Sequence, residues 1–113
     1  DSILGASGIG DIGKYFSDQD EKNKNLDSTK IIRFCLDKLN ELNLEIYNVD
    51  TVIICEEPKI NPHRDNILKS LSLILEIPID KIGLKATTSE QIGIIGKNKA
   101  IAVQSYVNLR EKQ

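Results

Sequence analysis

Methionine and tryptophan are absent from this chain, histidine occurs once, and aromatic residues make up only 4% of its 113 positions. His63 has no second His or Cys at ligand spacing, so these residues cannot build a structural zinc site, and His63 is read as a helix-surface residue. The two cysteines, Cys35 and Cys55, each fall inside an apolar periodic segment, which favours buried free thiols over a bridge or a metal site. No oxidising compartment is implied. The longest apolar runs, such as Val52 to Cys55, fall far below the roughly 18 residues of a membrane-spanning helix, and no secretory pattern opens the chain. No membrane partner is expected. Lys plus Arg number 15 against 17 Asp plus Glu, a formal net charge of -2, so the electrostatic footprint of a nucleic-acid binder is missing too.

What is present suits one ordinary soluble domain, 40% apolar and 28% charged. The lack of Met and the opening Asp1-Ser2-Ile3-Leu4-Gly5, which reads as a helix already under way, lead us to expect further residues upstream. Ile occurs 18 times and Arg three times, with Lys and Asn common, a bias of AT-rich coding rather than of structure.

Asp27 and Ser28 offer N-cap oxygens, and Ile31, Ile32, Cys35, Leu36, Leu39 and Leu42 recur at helical spacing, which predicts a helix from about 28 to 43. A strand rich in β-branched residues is expected from Leu44 to the acidic pair Glu56-Glu57, with Pro58 ending it. Asn61-Pro62 reads as an N-cap with Pro at the first helical position, and Ile67, Leu68, Leu71, Ile74 and Leu75 supply the inward stripe of a second helix, closed by Pro78. A strand at about 82 to 88 and a last one at 99 to 109 follow, separated by a turn through Gly93 and Gly96. In the last strand Ile101, Val103, Ser105, Val107 and Leu109 share one face. Strand, helix, strand of these lengths is a βαβ unit, so the fold class is α/β or α+β, a sheet with helices on one face. The chain reads as one domain over 1–113.

Three polar clusters fall where elements end, and strand ends and helix starts are where ligands meet exposed backbone groups. The first is Gly10-Asp11-Ile12-Gly13-Lys14 followed by Phe16-Ser17-Asp18-Gln19-Asp20. Glycines bracketing a carboxylate suit a grip on a hydroxyl-bearing ligand, and equally a helix C-cap and turn. The second is Cys55-Glu56-Glu57-Pro58-Lys59-Ile60-Asn61, a loop whose N–H groups favour an anion or a polar base, or one that is simply solvated. The third is Lys85-Ala86-Thr87-Thr88-Ser89-Glu90. Its hydroxyls can donate to phosphate oxygens, and Glu90 offers a hard oxygen to a divalent cation that carries the phosphate. None matches a P-loop or a dinucleotide fingerprint.

Taken together, Asp11 to Asp20, Asn48-Val49-Asp50, Pro58-Lys59 and Lys85-Ala86-Thr87-Thr88-x-Glu90 with Gly93 and Gly96 resemble the 2-C-methyl-D-erythritol 2,4-cyclodiphosphate synthase family in order and spacing across essentially the whole chain. The resemblance implies a homotrimer with active sites between neighbouring protomers. It implies metal-dependent cyclisation of 4-diphosphocytidyl-2-C-methyl-D-erythritol 2-phosphate with release of CMP, a phosphorus-oxygen lyase step in non-mevalonate isoprenoid biosynthesis.

By the same resemblance Asp11, Ile12 and Gly13 would hold the methylerythritol part, with Phe16 to Asp20 lining that cleft. Cys55 to Asn61 and Ala86 to Thr88 would form the cytidine pocket, with Ser89 and Glu90 also among the substrate-binding residues. Thr88 would stabilise the transition state, Glu90 would ligate Mg2+ or Mn2+, and Ile94 and Lys97 would close the site. The family's zinc ligands, an Asp-x-His and a later His, would lie upstream of Asp1. The chain departs from the family pattern at Gln104, where many relatives carry an acid facing the trimer axis, and at Lys97, where Arg is common. Ala100, Ala102 and Gln104 are expected to form the trimer core. A different class of function, a non-catalytic trimeric cytidine-nucleotide-binding or scaffold protein, would keep the pocket without the metal site. The AT-rich bias places the protein in a plastid-type organelle, apicoplast or chloroplast, with bacterial cytoplasm as the alternative.

Overall fold

The computed structural model describes residues 1–113, which form two compact units, Asp1–Tyr47 with Val107–Gln113, and Asn48–Tyr106. Strand β1 (Leu44–Ile54) and strand β3 (Ala102–Glu111) each contribute residues to both. With β2 (Ile82–Thr87) they form a three-stranded sheet in the order β2-β1-β3. Five α-helices accompany the three strands, α1 (Ser2–Ala6), α2 (Ile12–Tyr15), α3 (Ser28–Glu41), α4 (Arg64–Leu75) and α5 (Gly93–Gly96), together with three short 3-10 turns. The mixed α/β class is as expected.

In the first unit, α3 starts where the sequence placed it, because the Asp27 carboxylate accepts the Thr29 N–H at 2.9 Å. Those hydrogen bonds hold the Asp27 carboxyl below the usual carboxylate range. The helix ends at Glu41, earlier than expected: Asn43 adopts a left-handed φ of 58°, and Leu42 falls outside the helix and is exposed. Cys35 and Leu39 are buried along with Ile3, Leu4 and Ile46. Burial pushes the Cys35 thiol up, and both cysteines are free and buried. The Lys112 N–H donates to the Asn43 carbonyl at 3.0 Å and Arg110 pairs with Glu45 at 3.3 Å, an antiparallel arrangement of β1 and β3.

In the second unit β1 and β2 are parallel, in register from Val49 with Ile82 to Ile54 with Thr87. Parallel neighbours need a crossover, and α4 supplies it. Leu68 of α4 packs with Ile82 and Leu84 of β2, flanked by Ile53, Ile67, Leu71 and Ile77. Each such side chain contributes about 1.5–3 kcal/mol of transfer free energy when fully buried. The Arg64 Nε donates to the Leu84 carbonyl at 3.3 Å, fixing the start of α4 against the strand. Glu76 ends the helix in a left-handed conformation, and Pro78 follows.

Several boundaries differ from the sequence reading. Strand β1 stops at Ile54, short of Glu56-Glu57, because Cys55 turns to bond its Sγ to the Pro58 carbonyl. Asn61 is not the α4 N-cap: Asn61–His63 form a 3-10 turn, and His63, exposed as expected, occupies the cap position. The last strand begins at Ala102, so Ala100 lies outside it. Ser105, Val107 and Leu109 are half-buried as an alternating set, but Val103 departs from that set and is exposed.

Candidate functional site at the ends of the parallel strands

Two parallel strands ending side by side place the loops that follow them at one edge. The Cys55 N–H donates to the Thr87 carbonyl at 3.1 Å, extending the ladder by one bond and drawing the loops together. Between them lies a cleft of about 140 Å³, lined by Cys55, Pro58, Lys59, Ile60 and Asn61 on one side and Ala86, Thr87 and Thr88 on the other. Two of the three polar clusters therefore meet. The small side chains of Cys55 and Ala86 leave room for a flat polar group bordered by loop backbone.

Beside the cleft the chain turns sharply at Thr88–Gln91. Glu90 and Gln91 have φ of 53° and 65°, left-handed conformations that cost a non-glycine residue about 1–2 kcal/mol each. Two backbone donors converge on one oxygen of Glu56, the Ser89 N–H and the Gln91 N–H, each at 3.1 Å, while the Ser89 hydroxyl donates to the Ile92 carbonyl at 2.8 Å. On the other side Gly96 is required, since a Cβ there would lie 2.2 Å from the Gln91 carbonyl carbon. The Thr88 hydroxyl accepts the Glu90 N–H at 3.1 Å, which leaves its own proton to donate outward. The Glu90 side chain is exposed.

Neither Glu56 nor Glu57 lines the cleft, and neither do Ser89, Glu90, Ile94 and Lys97. Ile94 is exposed on α5 and Lys97 is its C-cap. Gln91 escaped the sequence reading. Its role comes from its backbone conformation, which neither Glu90 nor Gln91 advertises as Gly or Asn would.

The first unit holds the remaining cluster. Asp11 caps α2, its Oδ1 accepting the Lys14 N–H at 3.0 Å, and the Ile12 N–H donates to Asp1 at 2.8 Å. Gly10 has a φ of 125°, whereas Gly13 sits inside the short helix. Phe16 packs edge-on against Phe34 with ring centroids 5.1 Å apart. Ser17 accepts the Gln19 N–H at 3.1 Å, and Asp20 caps the 3-10 turn Glu21–Asn23. Asp18, Gln19 and Asp20 line an open hollow of about 340 Å³ with Glu21, Asn23 and Lys24. Asp11, Ile12, Gly13, Phe16 and Ser17 do not line it.

No three His, Cys, Asp or Glu side chains gather into a metal cage. Zinc therefore has no ligand set here. A magnesium-type ion asks for less: one or two carboxylates, with waters and substrate phosphate completing its shell. The exposed Glu90 carboxylate fits that requirement.

The YgbB family model matches residues 1–110. The chain belongs to the YgbB family. Among YgbB relatives, a protein of Leptospira interrogans named 2-C-methyl-D-erythritol 2,4-cyclodiphosphate synthase is 44% identical over 112 residues, 99% of this chain and 70% of that protein. A Treponema denticola protein of the same name is 46% identical over 102 residues, covering 90% of this chain and 63% of its own. The bifunctional IspDF of Campylobacter jejuni superposes with a TM-score of 0.93 at 36% identity, covering 98% of this chain and 30% of that one. The Plasmodium falciparum IspF complex with CDP superposes with 0.87 at 38% identity, covering 100% and 67%. The chain thus spans 63% to 70% of the two spirochaete relatives. The family resemblance, and with it the reading as a synthase of this class, is borne out. The plastid expectation is overturned: relatives at 43–46% identity come from Leptospira, Treponema and Clostridium, all bacteria. An AT-rich bias reports base composition, which bacteria share with organelles.

Proposed function

We propose that this YgbB-family chain acts in a metal-dependent cyclase, closing 4-diphosphocytidyl-2-C-methyl-D-erythritol 2-phosphate to 2-C-methyl-D-erythritol 2,4-cyclodiphosphate with release of CMP. The observation that carries this reading is the Cys55–Asn61 and Ala86–Thr88 cleft, of a scale suited to a nucleobase, beside the outward-facing Thr88 hydroxyl.

An oxygen of the 2-phosphate attacks the β-phosphorus in line. The bond from that phosphorus to the oxygen bridging towards the α-phosphate breaks, and its electron pair leaves with CMP. No general base is needed, because a phosphate monoester with a second pKa of about 6 is largely deprotonated at neutral pH. The obstacle is repulsion, about 4 kcal/mol per pair of unit charges 4 Å apart at an effective dielectric of about 20. Thr88 donates a hydrogen bond where charge develops, and Glu90 would hold Mg2+ or Mn2+. That ion, when bound, offsets diphosphate charge. The remaining residues position substrate: Asp11, Ile12, Gly13 and Phe16 to Asp20 are assigned the methylerythritol end by resemblance, and Ile94 and Lys97 the closing of the site. A homotrimer with Gln104 and Ala102 towards the axis is part of the same reading, checked by light scattering at micromolar concentration, where a monomer would refute it.

The test is CMP release by the full-length protein at varied Mg2+. Glu90→Ala is expected to lower turnover about a hundredfold. Turnover of Glu90→Ala at the normal rate with Mg2+ would remove the metal assignment, and CMP binding by the unaltered protein without any turnover would sink the cyclase reading.

A further inference from the structure

The Glu56 carboxylate has a task that the cleft does not account for. It belongs to the loop after β1, yet it reaches the loop after β2, where the Ser89 and Gln91 N–H groups both donate to its Oε1 at 3.1 Å. Those donors flank Glu90 on both sides. The segment they hold contains two successive residues with positive φ, Glu90 and Gln91, an arrangement that would not persist in an untethered loop. Gly96 bounds the same turn from the other side, with no room for even a methyl group against Gln91.

We infer that Glu56 is a positioning residue: its carboxylate holds the Thr88–Gln91 turn so that the Thr88 hydroxyl and the Glu90 carboxylate meet a ligand's diphosphate and its divalent cation already in place. The inference rests on the cyclase reading for the identity of the ligand, and on the hydrogen bonds alone for the clamp. Glu56 touches no cleft-lining side chain through these bonds, so its influence should fall on the diphosphate and not on the base. Glu56→Gln keeps an acceptor oxygen of the same reach, whereas Glu56→Ala leaves the Ser89 and Gln91 N–H groups without that acceptor.

The experiment compares the full-length protein with Glu56→Ala and Glu56→Gln, measuring calorimetric affinity for CDP with Mg2+ and for CMP. Glu56→Ala should weaken CDP–Mg2+ about tenfold or more while CMP changes less than about twofold, and Glu56→Gln should recover most of the loss. Equal losses for both nucleotides, no loss for either, or no recovery in Glu56→Gln would overturn the positioning role. Amide hydrogen exchange in the ligand-free protein judges the clamp separately. The Ser89 and Gln91 amides should exchange about tenfold faster or more in Glu56→Ala, with core amides of β2 unchanged. Unchanged Ser89 and Gln91 exchange would overturn the clamp. Failure of the unaltered protein to bind either nucleotide, with that exchange difference intact, would instead count against the cyclase reading.

Discussion

The two units solve the placing of polar groups in opposite ways. In Asn48–Tyr106 the candidate residues leave the ends of two parallel strands, and the register of those strands brings residues some thirty positions apart to one cleft. Behind them Leu68, Ile82 and Leu84 form a closed apolar cluster. In Asp1–Tyr47 the carboxylates sit on short turns and are spent locally: Asp11 caps α2 and Asp20 caps the turn that follows it. The difference teaches that a motif is worth most where long-range pairing carries it. Carboxylates near glycines make caps readily, because capping needs only a neighbouring N–H group.

The largest effect that would test this contrast is expected from Leu84→Ala. The site depends on strand placement, so losing this buried side chain should cost about 2–4 kcal/mol in urea unfolding and weaken CMP binding with it. Undiminished CMP affinity at that cost would break the link between core and cleft. Thr88→Ala should lower turnover about a hundredfold while CMP affinity changes far less, since it removes the outward donor together with the acceptor of the Glu90 N–H, and no apolar packing. Phe34→Ala removes the partner of both Tyr15 and Phe16, half-buried rings 5.0 and 5.1 Å away. A loss of about 1–3 kcal/mol in the same unfolding experiment, with CMP affinity retained, is expected there; loss of CMP binding would erase the distinction between the units.

The smallest effect belongs to Asp27. Hydrogen bonds from the Thr29 N–H and hydroxyl hold its folded pKa below the unfolded value, so its contribution is present above the unfolded pKa and lost as pH falls through the folded one. Asp27→Ala should lower the melting temperature slightly at neutral pH, and the gap from the unaltered protein should close in acid. A gap that persists in acid would assign the effect to something other than the ionised cap.

Much of this was legible beforehand, for reasons that can be named. Helix α3 and the β1-α4-β2 order followed from periodicity and from Asp27, Pro58 and Pro78, all local signals. The pairing of the Cys55–Asn61 loop with Ala86–Thr88 came from resemblance, and the parallel register supplies its physical cause. The end of β1 differs from the sequence expectation because Glu56 and Glu57 follow the strand without a break in pattern, and the cleft-side turn at Cys55 stops it. The open hollow at Asp18 to Asp20 excludes Asp11 and Phe16, which sequence proximity had grouped with it. Base composition is not an address, and the bacterial origin of the relatives at 43–46% identity sets the plastid expectation aside.

The sequence by itself determined the kinds of element, their order and the chemistry available at their ends, since side-chain period, caps and breakers act over a few residues. Only the tertiary structure decided which ends meet. That Glu56 turns towards the Ser89 and Gln91 N–H groups, and that the Cys55 N–H meets the Thr87 carbonyl, are consequences of strand pairing across more than thirty residues. No local rule encodes them, because each exists only once two distant backbones have been brought side by side.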